Sequence, residues 1–423
     1  MKRTYIKNIV FGKDVLLKGW VYEIRDFSKL KFVLIRDSTG IVQCVLKGEK
    51  LINDFSNLSL ESVLEIKGRV KKANIKAEFA IKDIEVEVSE IKLINLAEKL
   101  PIHVNEKTIT TDIPKRLDFR SLDLRKPKIF AIFKIQAEIA RAFREYFSKN
   151  NFTEVFLPSI ISSSSEGGTD LFPVNYFEKT VYLAQSPQLY KQMMACSIEN
   201  VFTIAPVWRA EKHNTVRHLN ESRQMDIEMA FSDQFEVMKE LENAVKYIVE
   251  NVLKNCKNEV DLLNLNLKIP NVKYLSYDET IDLLNLKYGE DLTPENEKNL
   301  DKKFPNSLVF VHSWPMKLKP FYIMPKDEKD DAKLSEGFDC IYRGLEITSG
   351  GQRIHFPELL EKMLRKKKLN PKNFKDYINS FRFGSPPHAG WSIGLERITQ
   401  LITEQKNIRE ACIFPRDRTR LTP

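Results

Sequence analysis

P-P-H-A-G-W-S-I-G-L-E-R (Pro386–Arg397) reads as a strand that runs directly into a helix. Gly390 and Gly394 flank W-S-I, so no bulky side chain stands at either end, and a flat ligand such as adenine could lie on that backbone. The helix expected over Leu395–Thr403 buries Leu395, Ile398 and Ile402. It places Arg397 near its N-terminus, where cation and helix dipole together favour an anion. Upstream, F-D-C-I-Y-R-G-L-E-I-T-S-G-G-Q-R (Phe338–Arg353) holds two carboxylates, a Gly-Gly pair and an arginine. Asp339 and Glu346 stand an odd number of residues apart, so one continuous strand would place them on opposite faces. A turn at Arg343-Gly344 would fold the segment into a hairpin and could bring them together. Two carboxylates facing a triphosphate suit Mg²⁺. Gly350-Gly351 allows close backbone approach, and Arg353 then offers a bidentate fork for a carboxylate.

A second basic cluster lies earlier in the chain. V-F-T-I-A-P-V-W-R-A-E (Val201–Glu211) reads as an apolar strand ending in Arg209 and Glu211, two apart and so on one face. A polar loop follows with Arg217 and His218 side by side. The next strand, M-D-I-E-M-A-F (Met225–Phe231), alternates apolar and acidic residues. Strand, basic loop and strand could wrap a triphosphate. Taken singly, each segment also fits a solvated surface hairpin. Jointly, three arginines in glycine- or turn-adjacent settings point to a nucleotide and metal site beside a pocket for a small anion.

Outward from these segments the chain divides. Val15–Tyr22, Lys31–Arg36, Ile41–Leu46, Ser62–Val70 and Ala80–Val88 alternate and are rich in β-branched residues, as strands are. Five strands in about a hundred residues suggest a small OB-type barrel. Residues 95–128 are polar and Pro-punctuated and read as a hinge. From about 129 the pattern changes: helices are expected over Ile129–Asn150 and Gln234–Asn255, with a strand over Phe152–Ile160 stopped by Pro158. The expected fold class is α+β: an OB-fold β-barrel over 1–100, a hinge over 101–128, and over 129–423 a domain built on an antiparallel β-sheet flanked by helices.

The chain has 423 residues, enough for two or three domains. Five scattered cysteines without C-x-x-C spacing argue against a disulfide framework or structural zinc. No apolar run reaches membrane-spanning length and the N-terminus lacks a secretory core, so a cytoplasmic location is expected. The net charge of +9 fits a polyanion partner, although lysine-rich composition arises for other reasons too.

Together the motifs resemble class II aminoacyl-tRNA synthetases of subclass b, and within them the archaeal/eukaryotic type of aspartyl-tRNA synthetase. F-T-E-V-F-L-P looks like motif 1, Trp208–Glu211 with Arg217-His218 like motif 2, and G-W-S-I-G-L-E-R like motif 3. The resemblance implies a class II catalytic domain, an OB-fold that grips the anticodon, and a homodimer with Pro158 near its interface. It implies ATP and Mg²⁺ as cofactors, and L-aspartate and tRNA(Asp) as substrates. A relaxed version would also charge tRNA(Asn) with aspartate and feed an amidotransferase. Arg209 and Arg397 would be the catalytic cations. Arg209, Glu211, Arg217, His218, Leu219, Glu346, Gly394 and Arg397 would bind ATP, while Asp339, Glu346 and Ser349 would hold the metal. Glu166, Gln188, Lys191, Arg209, Ser349 and Arg353 would bind aspartate. Ser165–Phe172 looks like a mobile loop closing over that substrate. Lys191 and Arg353 would neutralise its side-chain carboxylate, and asparagine would leave two buried cations without a partner. The asparaginyl relatives lack this lysine, which disfavours asparagine. Arg25, Phe32, Gln43 and Glu85 would read the anticodon, Phe32 by stacking. The alternative for Phe32 is a barrel-core residue. Discrimination between the two tRNAs is expected around Tyr22 and Lys76. A non-catalytic RNA-binding paralogue would have lost some of these arginines or carboxylates, and all of them are present.

Overall fold

The computed structural model describes residues 1–27, 30–54, 58–105, 111–162, 171–212 and 215–423. Two compact units emerge, Met1–Ile129 (with Pro423) and Phe130–Thr422.

In the first unit, β1 (Asp14–Phe27), β2 (Leu30–Asp37), β3 (Gly40–Lys47), β4 (Val63–Lys72) and β5 (Ile84–Asn95) close into a barrel in the order β1-β2-β3-β5-β4. The core takes every second residue, as a pleated strand requires: Val33 and Ile35, then Val42, Cys44 and Leu46. Ala80–Val88 is only partly a strand. β5 begins at Ile84, and Ala80 makes just an isolated bridge to Ile41. The stretch read as a hinge folds with the barrel. Val104 and Leu122 pack in a second cluster with Tyr22 and Leu34. Arg125 meets Glu61 at 2.9 Å, and Glu61 also takes a bidentate fork from Arg36 at 2.8 and 2.9 Å.

In the second unit, β10 (Val201–Trp208), β11 (Glu221–Ala230), β12 (Asn271–Ser276), β13 (Ser307–His312), β14 (Gly337–Tyr342), β15 (Leu345–Gln352) and β16 (His388–Gly394) build the main sheet with the short β6 (Thr153–Glu154). The order is β12-β13-β14-β15-β16-β11-β10-β6. The expected antiparallel sheet is in fact mixed: its two edge pairings, β12 with β13 and β10 with β6, are parallel. Phe152–Ile160 is likewise not one strand: Thr153–Glu154 pairs with β10, the chain then leaves the sheet, and Ile160 opens β7 (Ile160–Ile161) of a small separate sheet with β8 (Pro173–Tyr176) and β9 (Lys179–Leu183). The two long helices occur as expected, over Pro127–Lys149 and Gln234–Asn255. Asp233 caps the second in a reciprocal capping box with Glu236, which fixes where it starts. No described helix is long and apolar enough to cross a membrane.

Both long helices pack on one face of this sheet. Phe143, Phe147 and Val245 meet Phe202, Ile227, Phe338 and Trp391 in a common core. The alternate residues of the same strands therefore face the other way, and those are Asp226, Glu228, Asp339 and Ser392. Phe147 lies 4.8 Å from the rings of both Phe143 and Phe152 and 5.7 Å from Trp391. Phe147→Ala is expected to destabilise this unit by about 3–5 kcal/mol, since no small neighbour can fill the hole. Urea denaturation followed by tryptophan fluorescence measures it.

Candidate active site

The site rests on strand register. Across β11, β16, β15 and β14, Asp226 stands opposite Ser392, Ser392 opposite Ser349, and Ser349 opposite Asp339. Four polar side chains thus form one row on the face away from the helices. Two residues along, Glu228 faces Gly390, which faces Gly351. A Cβ on Gly390 would stand 2.1 Å from Glu228 Oε2, so this glycine makes room for a carboxylate. The adenine platform expected at Gly390 is thereby displaced. Of the two flanking glycines, Gly394 lines the main cavity, of ≈ 300 Å³, and Gly390 does not.

Lys191 and Arg353 are both buried and already paired. Lys191 Nζ donates to Asp226 Oδ1 at 2.7 Å and to the Trp391 carbonyl at 3.0 Å, with Glu228 at 3.5 Å. Arg353 donates from Nε and Nη2 to Glu228 at 2.8 and 3.3 Å. Burial works against charge on Glu228, but Arg353 and Lys191 outweigh it and hold its pKa below the usual value. At Asp226 burial prevails and the pKa is raised. This corrects the expected basis of selectivity: a neutral ligand would leave neither cation orphaned. The acidic alternation of Met225–Phe231 is plain in the sequence, but that Asp226 and Glu228 join the site is not. Their two-residue spacing beside a lysine and an arginine elsewhere was the available signal.

Arg353, Gln188, Arg209 and Ser349 line the cavity. Gln188 Nε2 and Arg209 Nε are buried and have no hydrogen-bond partner within the protein. Arg209 and Glu211 both reach the cavity, but not as residues of a strand. β10 ends at Trp208, and a tight turn bonds Glu211 N to the Arg209 carbonyl at 2.8 Å. Asn220 anchors that turn through the same carbonyl at 2.8 Å. Arg217, His218 and Leu219 line the cavity too. Arg217 pairs with Glu297 at 2.9 Å, and burial lowers the His218 pKa. Glu166 lies outside the described residues.

The Phe338–Arg353 hairpin forms as its turn suggested. Arg343 and Gly344 both have positive φ, and Tyr342 pairs directly with Leu345. A bulge after Cys340 sets Glu346 opposite Ile341 while Ser349 stays opposite Asp339. That one extra residue reverses the parity and puts Glu346, Ser349 and Asp339 on the same face. Burial first, and then Asp339, pushes the Glu346 pKa up to about 7. Arg397 Nη1 donates to the Glu346 carbonyl at 2.8 Å. Among the described residues no three His, Cys, Asp or Glu side chains converge on a metal position. Two carboxylates and a hydroxyl are nonetheless hard oxygen donors. They suit an ion that completes its shell with phosphate and water, as Mg²⁺ does.

On the barrel, Arg25 stands opposite Phe32, and Gln43 donates to Glu85 at 2.8 Å. Phe32 is only partly buried and lies outside the barrel core, its ring edge-on to Phe27 at 5.8 Å. Lys76 is exposed, whereas Tyr22 is buried, with its hydroxyl pushed up to about 12. Tyr22 therefore presents no ring to an RNA, and the discrimination expected there does not rest on its direct contact.

Residues 112–418 match the model of class II tRNA synthetases (D, K and N), and residues 15–94 match the OB-fold nucleic acid binding domain. The chain belongs to the class II tRNA synthetases of this D, K and N family. It is 44% identical to the aspartate–tRNA(Asp/Asn) ligase of Methanocaldococcus jannaschii, over 99% of this chain and 97% of that one. It is 39% identical to the aspartate–tRNA(Asp) ligase of Thermoplasma acidophilum over the full length of both. Among solved structures, asparaginyl-tRNA synthetase from Pyrococcus horikoshii with asparaginyl-adenylate superposes with a TM-score of 0.93 at 33% identity, covering both chains fully.

The C-terminal turn braces the Arg209 loop, since Asn220 N donates to the Arg416 carbonyl at 2.8 Å. Asp417 holds that turn, accepting from Arg409 at 2.7 Å and from the backbone of Thr419 and Arg420. Burial opposes its charge, but these donors lower its pKa from 3.8 to about 2. Its stabilisation is full above the unfolded pKa and is lost as pH falls through the folded one. Asp417→Asn is expected to cost about 2 kcal/mol at pH 7, and the gap from wild type should shrink below pH 4. Urea titrations of both proteins across pH check this.

Proposed function

We propose that this chain is an aspartate–tRNA ligase that activates L-aspartate with ATP and transfers it to the 3′ end of tRNA. The observation that carries the reading is the cavity itself. It joins Arg209, Arg217 and Arg397 on one side to Gln188 and Arg353, with Lys191 behind, on the other. An amino acid and a triphosphate can share it with their reacting atoms adjacent.

In this reading the aspartate α-carboxylate attacks the α-phosphorus in line, and the bond to pyrophosphate breaks. Arg209 meets the charge on the α-phosphate, while Arg217, His218 and Arg397 hold the outer phosphates. Glu211 accepts from the adenine amine. Asp339, Glu346 and Ser349 hold Mg²⁺, which when bound neutralises phosphate charge and orients the triphosphate. No general base is needed, because the nucleophile is already ionised. Catalysis is positioning and electrostatics. The terminal ribose hydroxyl of tRNA then attacks the mixed anhydride and releases AMP.

The aspartate side chain enters between charges that are already paired. Arg353 turns Nε and Nη2 to Glu228, which leaves its remaining amino group, Nη1, for the substrate carboxylate. Selectivity over asparagine then comes from sharing Lys191 and Arg353 between internal and substrate carboxylates. The margin is smaller than full orphaning of two cations would give.

Arg25, Phe32, Gln43 and Glu85 form the anticodon-reading set on the barrel. The names of the Methanocaldococcus relative and of others at 41–43% identity favour charging of both tRNA(Asp) and tRNA(Asn). A second copy of the chain would cover Phe156, 88% exposed and two residues before Pro158.

Two measurements test this. Arg397→Ala should lower aspartate-dependent ATP–pyrophosphate exchange by two or more orders of magnitude, roughly the loss of one key electrostatic stabiliser, while tRNA binding persists. Labelled aspartate should be transferred to tRNA(Asp) and tRNA(Asn) transcripts alike, and labelled asparagine to neither. Charging of tRNA(Asp) alone would make the enzyme discriminating, and charging of neither would remove the ligase reading.

A further inference from the structure

Lys319 follows the 3₁₀ turn Met316–Leu318 and is 6% exposed. Its ammonium donates to both oxygens of Asp339, at 2.7 and 2.6 Å. It sits 4.4 Å over the ring of Trp314, itself fully buried and fixed by a bond from Nε1 to the Val311 carbonyl at 2.9 Å. The stem is held by the main chain: Lys319 N donates to the Met316 carbonyl at 3.3 Å, and Pro320 and Tyr322 beside it line the cavity. The ammonium also acts electrostatically on Glu346. A cation is thus built into the protein, astride the carboxylate expected to hold a metal. An ammonium in contact with both oxygens stands where a divalent ion would have to approach that carboxylate.

We propose that Lys319 is the resident cation of the Asp339–Glu346 pair. It neutralises Asp339 in the free protein, so that no divalent ion binds there until a triphosphate brings one. This rests on reading Asp339 and Glu346 as metal ligands. Lys319 is a positioning residue: its ammonium contacts both oxygens of Asp339 and so fixes how that carboxylate is aimed. Glu346 and Asp339 would then hold an ion that a triphosphate carries in, with Lys319 still resting on Asp339. Entry of the metal is thereby tied to entry of the nucleotide, because the protein alone offers too little net negative charge.

Mn²⁺ serves as the probe, since electron paramagnetic resonance counts free and bound ion without any turnover. Wild type alone should show no Mn²⁺ site that Glu346→Gln removes, and should gain one when a non-hydrolysable ATP analogue is added. Lys319→Met should bind Mn²⁺ without nucleotide, at least about tenfold more tightly than wild type. Lys319→Arg, which keeps the charge, should behave like wild type. If Lys319→Met folds and binds no more Mn²⁺ than wild type, the proposal is overturned while the metal-site reading stands. If it does not fold, the wild-type arm decides: a Glu346-dependent Mn²⁺ site in the nucleotide-free protein overturns the proposal. If no Glu346-dependent site appears even with the nucleotide analogue, the metal-site reading itself fails, and the proposal with it.

Discussion

Charge cannot be buried alone, and the catalytic unit is organised around that constraint. Lys191, Arg353, Asp226 and Glu228 are all nearly inaccessible, and each is tolerable only because another lies within hydrogen-bonding reach. Their pairing demands that β11 sit in one register between β10 and β16, since a slip of one residue would turn both carboxylates into the apolar core. It demands a glycine at 390, where any side chain would collide with Glu228. It also needs the Trp391 carbonyl as a third acceptor for Lys191. The indole of the same residue seals the opposite face against Phe143 and Phe147. One strand, His388–Gly394, thus serves the core with its rings and the site with its backbone.

The same logic recurs at the other cations around the cavity. Arg217 rests on Glu297, Lys319 on Asp339, and Arg397 on a main-chain carbonyl. A ligand of the proposed kind would therefore enter by exchanging partners with internal groups rather than by meeting bare charge. Such exchange favours discrimination over raw affinity, because a ligand gains only the difference between its own contacts and those it displaces.

Much of this was legible in the chain. Period-two alternation gave the barrel strands, helical spacing gave the two long helices, and glycine next to arginine marked the hairpin and the strand-to-helix junction. What escaped reading was long-range or a matter of parity. Lys319 and Glu297 are ordinary charged residues in sequence, and become site residues only when folding brings them to Asp339 and Arg217. Asp226 and Glu228 looked like the wet face of a strand, since alternation alone cannot say whether the polar side meets water or a buried cation. The bulge after Cys340 leaves no composition signal, yet it decides that Glu346 and Asp339 share a face. Phe152–Ile160 looked like one strand on β-propensity, but Thr153–Glu154 pairs in the main sheet while Ile160 pairs with Leu183 in another. The segment read as a hinge carries Val104, Leu122 and Arg125, whose partners all lie on the barrel, fifty or more residues upstream except for Ala73–Ala80.

The buried four-charge set has a thermal consequence. Hydration of ions becomes less favourable as temperature rises, so the cost of withdrawing these groups from water falls on warming, while apolar burial gains little more. The region that is most expensive to fold at 25 °C therefore becomes relatively cheaper in heat. The strands that carry Asp226, Glu228 and Trp391 should keep their register to temperatures at which exposed loops have already begun to open.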